Sequence, residues 1–192
     1  MNQARLPLLC LLAGVLLQFA CDSRDSTSAA ARSDPHSFSN PHEVVVEHVA
    51  LDLTVDFEAR CLRGRATLTI DNRARTTELW LDSWDLDVSG VWLDEDETQA
   101  TFEFGDEVEF LGRPLVVHIA PDTRLVHLEY ETAPDAVALQ WLEPEQTAGG
   151  RQPFLLSQSE TVFARTWIPC QDSPAVRITF ARVPSPAAGV CG

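Results

Sequence analysis

The sequence contains no lysine: its fourteen cations are all arginine, set against twenty-nine Asp and Glu, for a formal net charge of −15. Phosphate binding needs clustered cations, and these arginines are scattered without a basic patch or stripe, so nucleic acid is excluded as a partner. The missing lysine itself reads as coding bias and carries no chemistry. Methionine occurs once, as the initiator. Cysteine is sparse: of five, Cys10 and Cys21 lie in or at the end of the N-terminal apolar run, which leaves Cys61, Cys170 and Cys191. That odd remainder allows at most one internal disulfide, and no C-x-x-C or Cys/His spacing marks a metal site. The five histidines, at 36, 42, 48, 118 and 127, include no i, i+4 pair on a helical segment. None of the apolar windows after the N-terminus has the helical period.

What is present begins with an address. Residues 1–20, "MNQARLPLLCLLAGVLLQFA", carry Arg5 and then an apolar run from Leu6 to Ala20. The run is too short for a comfortable membrane span and reads as a signal peptide, so the chain is exported. Residues 21–42 are polar, rich in Ser, Ala and Asp, and aperiodic, which predicts a flexible tether with ordered structure from Glu43. Cys21 directly follows Phe19-Ala20, at a place that resembles the cleavage and lipidation site of bacterial lipoproteins, with Gln18 where that pattern favours Leu. Lipidation at Cys21 would anchor the chain to a membrane of the cell envelope; ordinary cleavage, for example after Ala31, would leave it periplasmic.

The remainder, in a chain of 192 residues with 45% apolar and 22% charged side chains, suits one domain with a proper core. Val49, Leu51, Leu53, Val55 and Phe57 alternate with polar residues, the period of a half-buried strand, and Leu62, Ala66, Leu68 and Ile70 repeat the pattern, which predicts an antiparallel hairpin. Further short strands are predicted at Leu79–Leu81, Leu86–Leu93, Ala100–Phe104, Val108–Phe110, Leu115–Ile119 and Leu125–Tyr130, separated by Asp, Gly, Pro and Thr clusters. Many short strands at near-regular spacing indicate an all-β sandwich or a related curved sheet. His118 and His127 fall on the polar phases of their strands as solvated residues. The acidic run Leu93–Glu97 reads as a hairpin loop, since it lacks the glycine and closing acid of a calcium loop. The five tryptophans read mostly as core or as packing against a neighbour.

Two segments carry more specific information. "ALQWLEPEQTAGGRQPFLLSQSE" (Ala138 to Glu160) and "ARTWIPCQDSPAVRITF" (Ala164 to Phe180) resemble the N-terminal β-domain of the leukotriene A4 hydrolase and aminopeptidase N family of zinc metallopeptidases. The opening His48 to Ile70 is similar to that domain's first hairpin, so the resemblance spans roughly His48 to Val183. It implies a saddle-like antiparallel β-sandwich over residues 43–183 that lends one loop to the active site of a thermolysin-like catalytic domain. In the family, the second residue of a Gln-x-Gln or Gln-x-Glu element before the Pro-Cys-Gln-Asp turn binds the free amino terminus of the substrate. Gln158-Ser159-Glu160 matches that element, so the resemblance places this role on Glu160, with Gln158 as a neighbouring cleft residue. Without the family, Glu160 reads as an outward-facing strand residue. Its acid leans towards the aminopeptidase branch, because the hydrolase branch carries Gln there. Pro169 to Pro174, including Cys170, reads as a structural turn in which Asp172 bonds nearby backbone donors.

The family's zinc chemistry resides in H-E-x-x-H, a downstream Glu and a Gly-x-Met-Glu-Asn loop, none of which occurs in this sequence. The expectation is therefore no cofactor in this chain, with zinc in a missing catalytic domain, and no hydrolysis by the chain alone. Residues 184–192 lose strand alternation and read as an irregular, truncated or frame-shifted tail, which would leave sheet edges and a core face uncovered. The expected function is the substrate-recognition domain of an exported zinc aminopeptidase. Its partners would be peptide N-termini, a catalytic domain encoded downstream and, through a lipid anchor, the membrane. The alternatives are a free-standing, non-catalytic peptide-binding envelope lipoprotein and a remnant that serves structure or a partner interaction.

Overall fold

Alternation of apolar and polar side chains builds a computed structural model whose described residues are 34–182. The readings of the signal peptide, of Cys21 and of the tail from residue 184 lie outside them. Strands β1 (Val44–Asp56) and β2 (Cys61–Asn72) form the expected antiparallel hairpin, running from Val44 opposite Asn72 to Asp56 opposite Cys61, with a bulge at Glu47 where the register shifts by one residue between Val46 and His48. Then come β3 (Glu78–Ser83), β4 (Leu86–Leu93), β5 (Thr98–Ala100), β6 (Phe102–Phe104), β7 (Arg113–His118), β8 (Leu125–Thr132), β9 (Leu139–Leu142), β10 (Phe154–Ser157) and β11 (Thr179–Arg182). They assemble into a six-stranded sheet, β11-β1-β2-β8-β4-β5, a three-stranded sheet, β3-β7-β6, and the pair β10-β9. Every pairing is antiparallel except that of β11 on β1.

The all-β sandwich follows from the inward phases. Val46, Val49, Ala66, Leu68, Ile70, Val126 and Leu128 from the six-stranded sheet share one core with Leu79, Leu81, Leu115 and Val117 from the three-stranded sheet. Each large side chain buried there stabilises the fold by about 1.5–3 kcal/mol. A second cluster, Leu62, Ala136 and Leu139, packs with Trp141, Leu155 and Trp167 beside the β9-β10 pair.

Three expectations are corrected. The span Ala100–Phe104 is not one strand: β5 pairs with β4 and β6 with β7, so the chain passes from one sheet to the other at Thr101. Val108–Phe110 is not a strand either. Leu111 and Gly112 both donate to the Val108 carbonyl, and positive φ angles at Phe110 (65°) and Gly112 (76°) curl the segment into a turn. A Cβ on Gly112 would collide with the Ser83 carbonyl oxygen, so only glycine fits that crossing. Finally, the tether reading runs to residue 42, whereas Ser37, Phe38 and Ser39 are buried. Asp82 holds them, accepting from the Ser37 hydroxyl at 2.6 Å and the Phe38 N–H at 2.7 Å. The acidic run forms the expected turn between β4 and β5, and the Asp94 carboxylate ties it to the start of β8 by accepting from the Arg124 and Leu125 N–H groups. All five tryptophans are half-buried.

Candidate functional site

The segment with Gln158 and Glu160 is a loop, not a strand. β10 ends at Ser157, the 3-10 turn Ala164–Thr166 begins after six intervening residues, and Glu160 sits in the loop between them with its side chain exposed. The entry is fixed where the Gln158 N–H donates to the Ala138 carbonyl at 2.8 Å, beside the β9-β10 ladder. The loop closes on itself through the Phe163 N–H and the Ser159 carbonyl at 3.0 Å. The Gln158 side chain turns inward to accept the Glu160 N–H at 3.0 Å, so it braces the backbone at Glu160. The peptide bond after Glu160 is cis. Both expected site residues thus share one loop, but both are exposed, and the described residues alone do not close a cleft around Glu160.

The exit of the loop rests on a group that sequence patterning missed. Arg165 is fully buried, a rare fate for an unpaired cation. Its Nε donates to the Asp172 carboxylate at 3.2 Å, Nη1 to the Leu111 carbonyl at 3.1 Å, and Nη2 to the His36 and Asp172 carbonyls at 2.8 and 3.0 Å. The equally buried Asp82 lies 3.6 Å from Nη1. Burial pushes the Asp82 carboxyl above its ordinary value, while the Arg165 charge, the Ser37 hydroxyl and the N–H groups of Phe38 and Asp172 pull it down. One guanidinium therefore joins the N-terminal segment, the turn before β7 and the Pro-Cys-Gln-Asp turn.

That turn is a fastening, as its sequence suggests. Cys170 and Asp82 form an antiparallel bridge, and the Gln171 amide donates to the Val44 carbonyl and accepts from the Val46 N–H, both at 2.9 Å. Asp172 accepts the Arg165 N–H at 3.2 Å. Ser173 donates to the Asp34 carboxylate at 2.6 Å, which holds that acid below its usual range. Cys170 and Cys61 are buried and unpaired, and burial pushes both thiols up, far from a reactive thiolate. Long-range bonds of this kind leave no periodic trace, although the quoted turn motif was the available signal for Gln171 and Asp172.

Beside the loop lies an apolar groove of about 580 Å³. Its floor is the alternate stripe of β1, from Val49 to Phe57, and its walls include Phe154, Trp167, Ile178 and Phe180. Phe180 is 78% exposed and Phe154 54%. Among the described residues no three His, Cys, Asp or Glu side chains are grouped to hold a metal, so they offer zinc no ligand set.

Comparison with known proteins agrees with this geometry. The chain is 35% identical over 154 residues to leucine aminopeptidase 2 of Phaeosphaeria nodorum, covering 77% of this chain and 24% of that protein. It is 36% identical over 154 residues to leukotriene A-4 hydrolase of Xenopus laevis, covering 77% and 25%. The structure of yeast LTA4 hydrolase in complex with bestatin superposes with a TM-score of 0.72 at 34% identity, over 81% of this chain and 25% of that one. The chain thus spans about a quarter of the length of the curated relatives it matches. The profile of the peptidase M1 N-terminal domain matches residues 45–185, and the chain belongs to that family.

Proposed function

We propose, from that membership, that the chain is the substrate-recognition domain of an exported zinc aminopeptidase and that Glu160 receives the free amino terminus of the peptide. The observation that carries this reading is the placement of Glu160 on an exposed loop whose entry and exit are both bonded to the folded sheets. A peptide α-ammonium, with a pKa of about 7.7–8.0, is mostly charged at neutral pH, and a carboxylate pairs with it through a charge-assisted hydrogen bond. Such a contact measures the peptide from its end and sets the first peptide bond in a fixed place. Gln158 contributes by bracing the Glu160 backbone.

The second wall of the cleft is assigned to the catalytic portion of the family's proteins. The apolar groove suits it as a seat, because its exposed aromatic residues are poorly placed against water. Zinc in that portion would supply Lewis-acid activation of water; the residues of this chain bind and orient. Export through residues 1–20, with lipidation at Cys21, would place the domain at the cell envelope. The test is calorimetric titration of the full chain with trialanine amide. The wild-type chain is expected to bind, and Glu160→Gln and Glu160→Ala to lose binding; equal binding by all three would remove Glu160 from the site.

A further inference from the structure

We propose that Trp167 and Ser159 are positioning residues for Glu160: the indole N–H fixes the loop so that the acid meets a peptide ammonium at bonding distance. This rests on the reading of Glu160 given above. Trp167 Nε1 donates to Ser159 Oγ at 2.9 Å, and Ser159 directly precedes Glu160. An indole N–H can only donate, so the serine oxygen is the acceptor and the polarity of the contact is settled.

The donor itself is firmly held. Trp167 packs against the cluster of Leu62, Ala136 and Leu139, and its carbonyl accepts the hydroxyl of Tyr130, a buried residue of β8, at 3.0 Å. The position of Ser159 is thereby referred to the core of the six-stranded sheet, across a loop in which Gln158, Glu160 and Thr161 are exposed. Satisfying a half-buried indole is the competing role for this bond. The same cluster argues against it, because the buried Trp141 Nε1 has no hydrogen-bond partner among the described residues, so the fold tolerates an unpaired indole there. The aromatic contact of Trp84 with Phe163, 6.4 Å between ring centroids, holds the far end of the loop, and beside the acid it is the Ser159 side chain that is bonded to a residue outside the loop. A charge-assisted bond needs donor and acceptor within about 2.7–2.9 Å, so a loop held less firmly at Ser159 presents the acid at that distance less often.

The experiment compares Trp167→Phe, Ser159→Ala and Ser159→Thr with the wild-type full chain. Affinities for trialanine amide and its N-acetylated form are measured by calorimetry, together with the melting temperature. The wild type is expected to prefer the free amine. Trp167→Phe and Ser159→Ala should each lower that preference about five-fold, the worth of one hydrogen bond, while Ser159→Thr, which keeps the acceptor, retains it. Ser159 lies in a surface loop, so Ser159→Ala folds even if the tryptophan variant does not. An unchanged preference in Ser159→Ala, with or without a shift in melting temperature, overturns the positioning role and leaves Glu160 standing. No preference in the wild type overturns the Glu160 reading and this inference with it.

Discussion

Replacing Arg165 by methionine should remove a large share of the margin by which this domain is folded. The change keeps much of the side-chain volume but leaves Asp82, which is fully buried, without its countercharge, and strips charged donors from the carbonyls of His36, Leu111 and Asp172. Removing one partner of a buried pair costs about 3–5 kcal/mol, against a total stability of about 5–15 kcal/mol for a typical domain. With a urea slope of about 2 kcal/mol per molar, the unfolding midpoint should fall by about 2 M. The assay is urea unfolding followed by tryptophan fluorescence, with Asp82→Asn and the double variant completing a cycle. Because Arg165→Met creates an uncompensated acid, adding Asp82→Asn should recover part of the loss. A cost below about 1 kcal/mol for Arg165→Met, or strictly additive effects in the cycle, would refute the idea that this guanidinium clamps three segments together.

Other consequences are equally open to measurement. The full chain should bind a hydrophobic dye such as anilinonaphthalene sulfonate at the groove, and Phe180→Ser should reduce the dye signal while changing stability by less than about 0.5 kcal/mol, since Phe180 is mostly exposed. Gly112→Ala should cost about 1–3 kcal/mol in urea unfolding, from the positive φ and the collision with the Ser83 carbonyl. The Asp34 carboxyl is held below its unfolded value of 3.8, so its bond to Ser173 contributes stability that is present above that pH and lost as pH falls through the lower folded value. Melting temperatures between pH 5 and pH 3 should therefore fall less steeply for Ser173→Ala than for the wild type.

The parts of this fold that follow a local period were legible in the sequence. The β1–β2 hairpin alternates as read from Val49 onward, while the bulge at Glu47 shifts the phase by one residue, so that Val46 as well as Val49 faces one core with Ala66, Leu68 and Ile70. Where two short apolar runs are joined by a crossing, as at Thr101, alternation continues through the change of sheet and gives no sign of it. The turn at Val108–Gly112 shows the same limit, since three residues of strand composition are bent by the crossing of Gly112 under Ser83. Glu160 and Gln158 were found through a motif, and the structure adds that their loop is exposed and that Gln158 is spent on the backbone. Arg165, Asp82 and Ser37 are joined across 128 residues of sequence, from position 37 to position 165, and such a contact has no periodic signature. The tether reading fails at its last residues for that reason: Ser37 to Ser39 have a polar, linker-like composition, and a distant acid orders them.

The central claim is that an acid on this loop recognises a charged amino terminus, and the pH dependence of binding addresses it most directly. Affinities of the full chain for trialanine amide and its N-acetylated form would be measured from pH 6 to pH 9.5, across the α-amino titration at about 7.7–8.0. The expected result is a preference for the free amine at pH 6 that declines through that titration and vanishes when the ammonium has lost its proton. A preference that stays flat across the range, or none at pH 6, would contradict it.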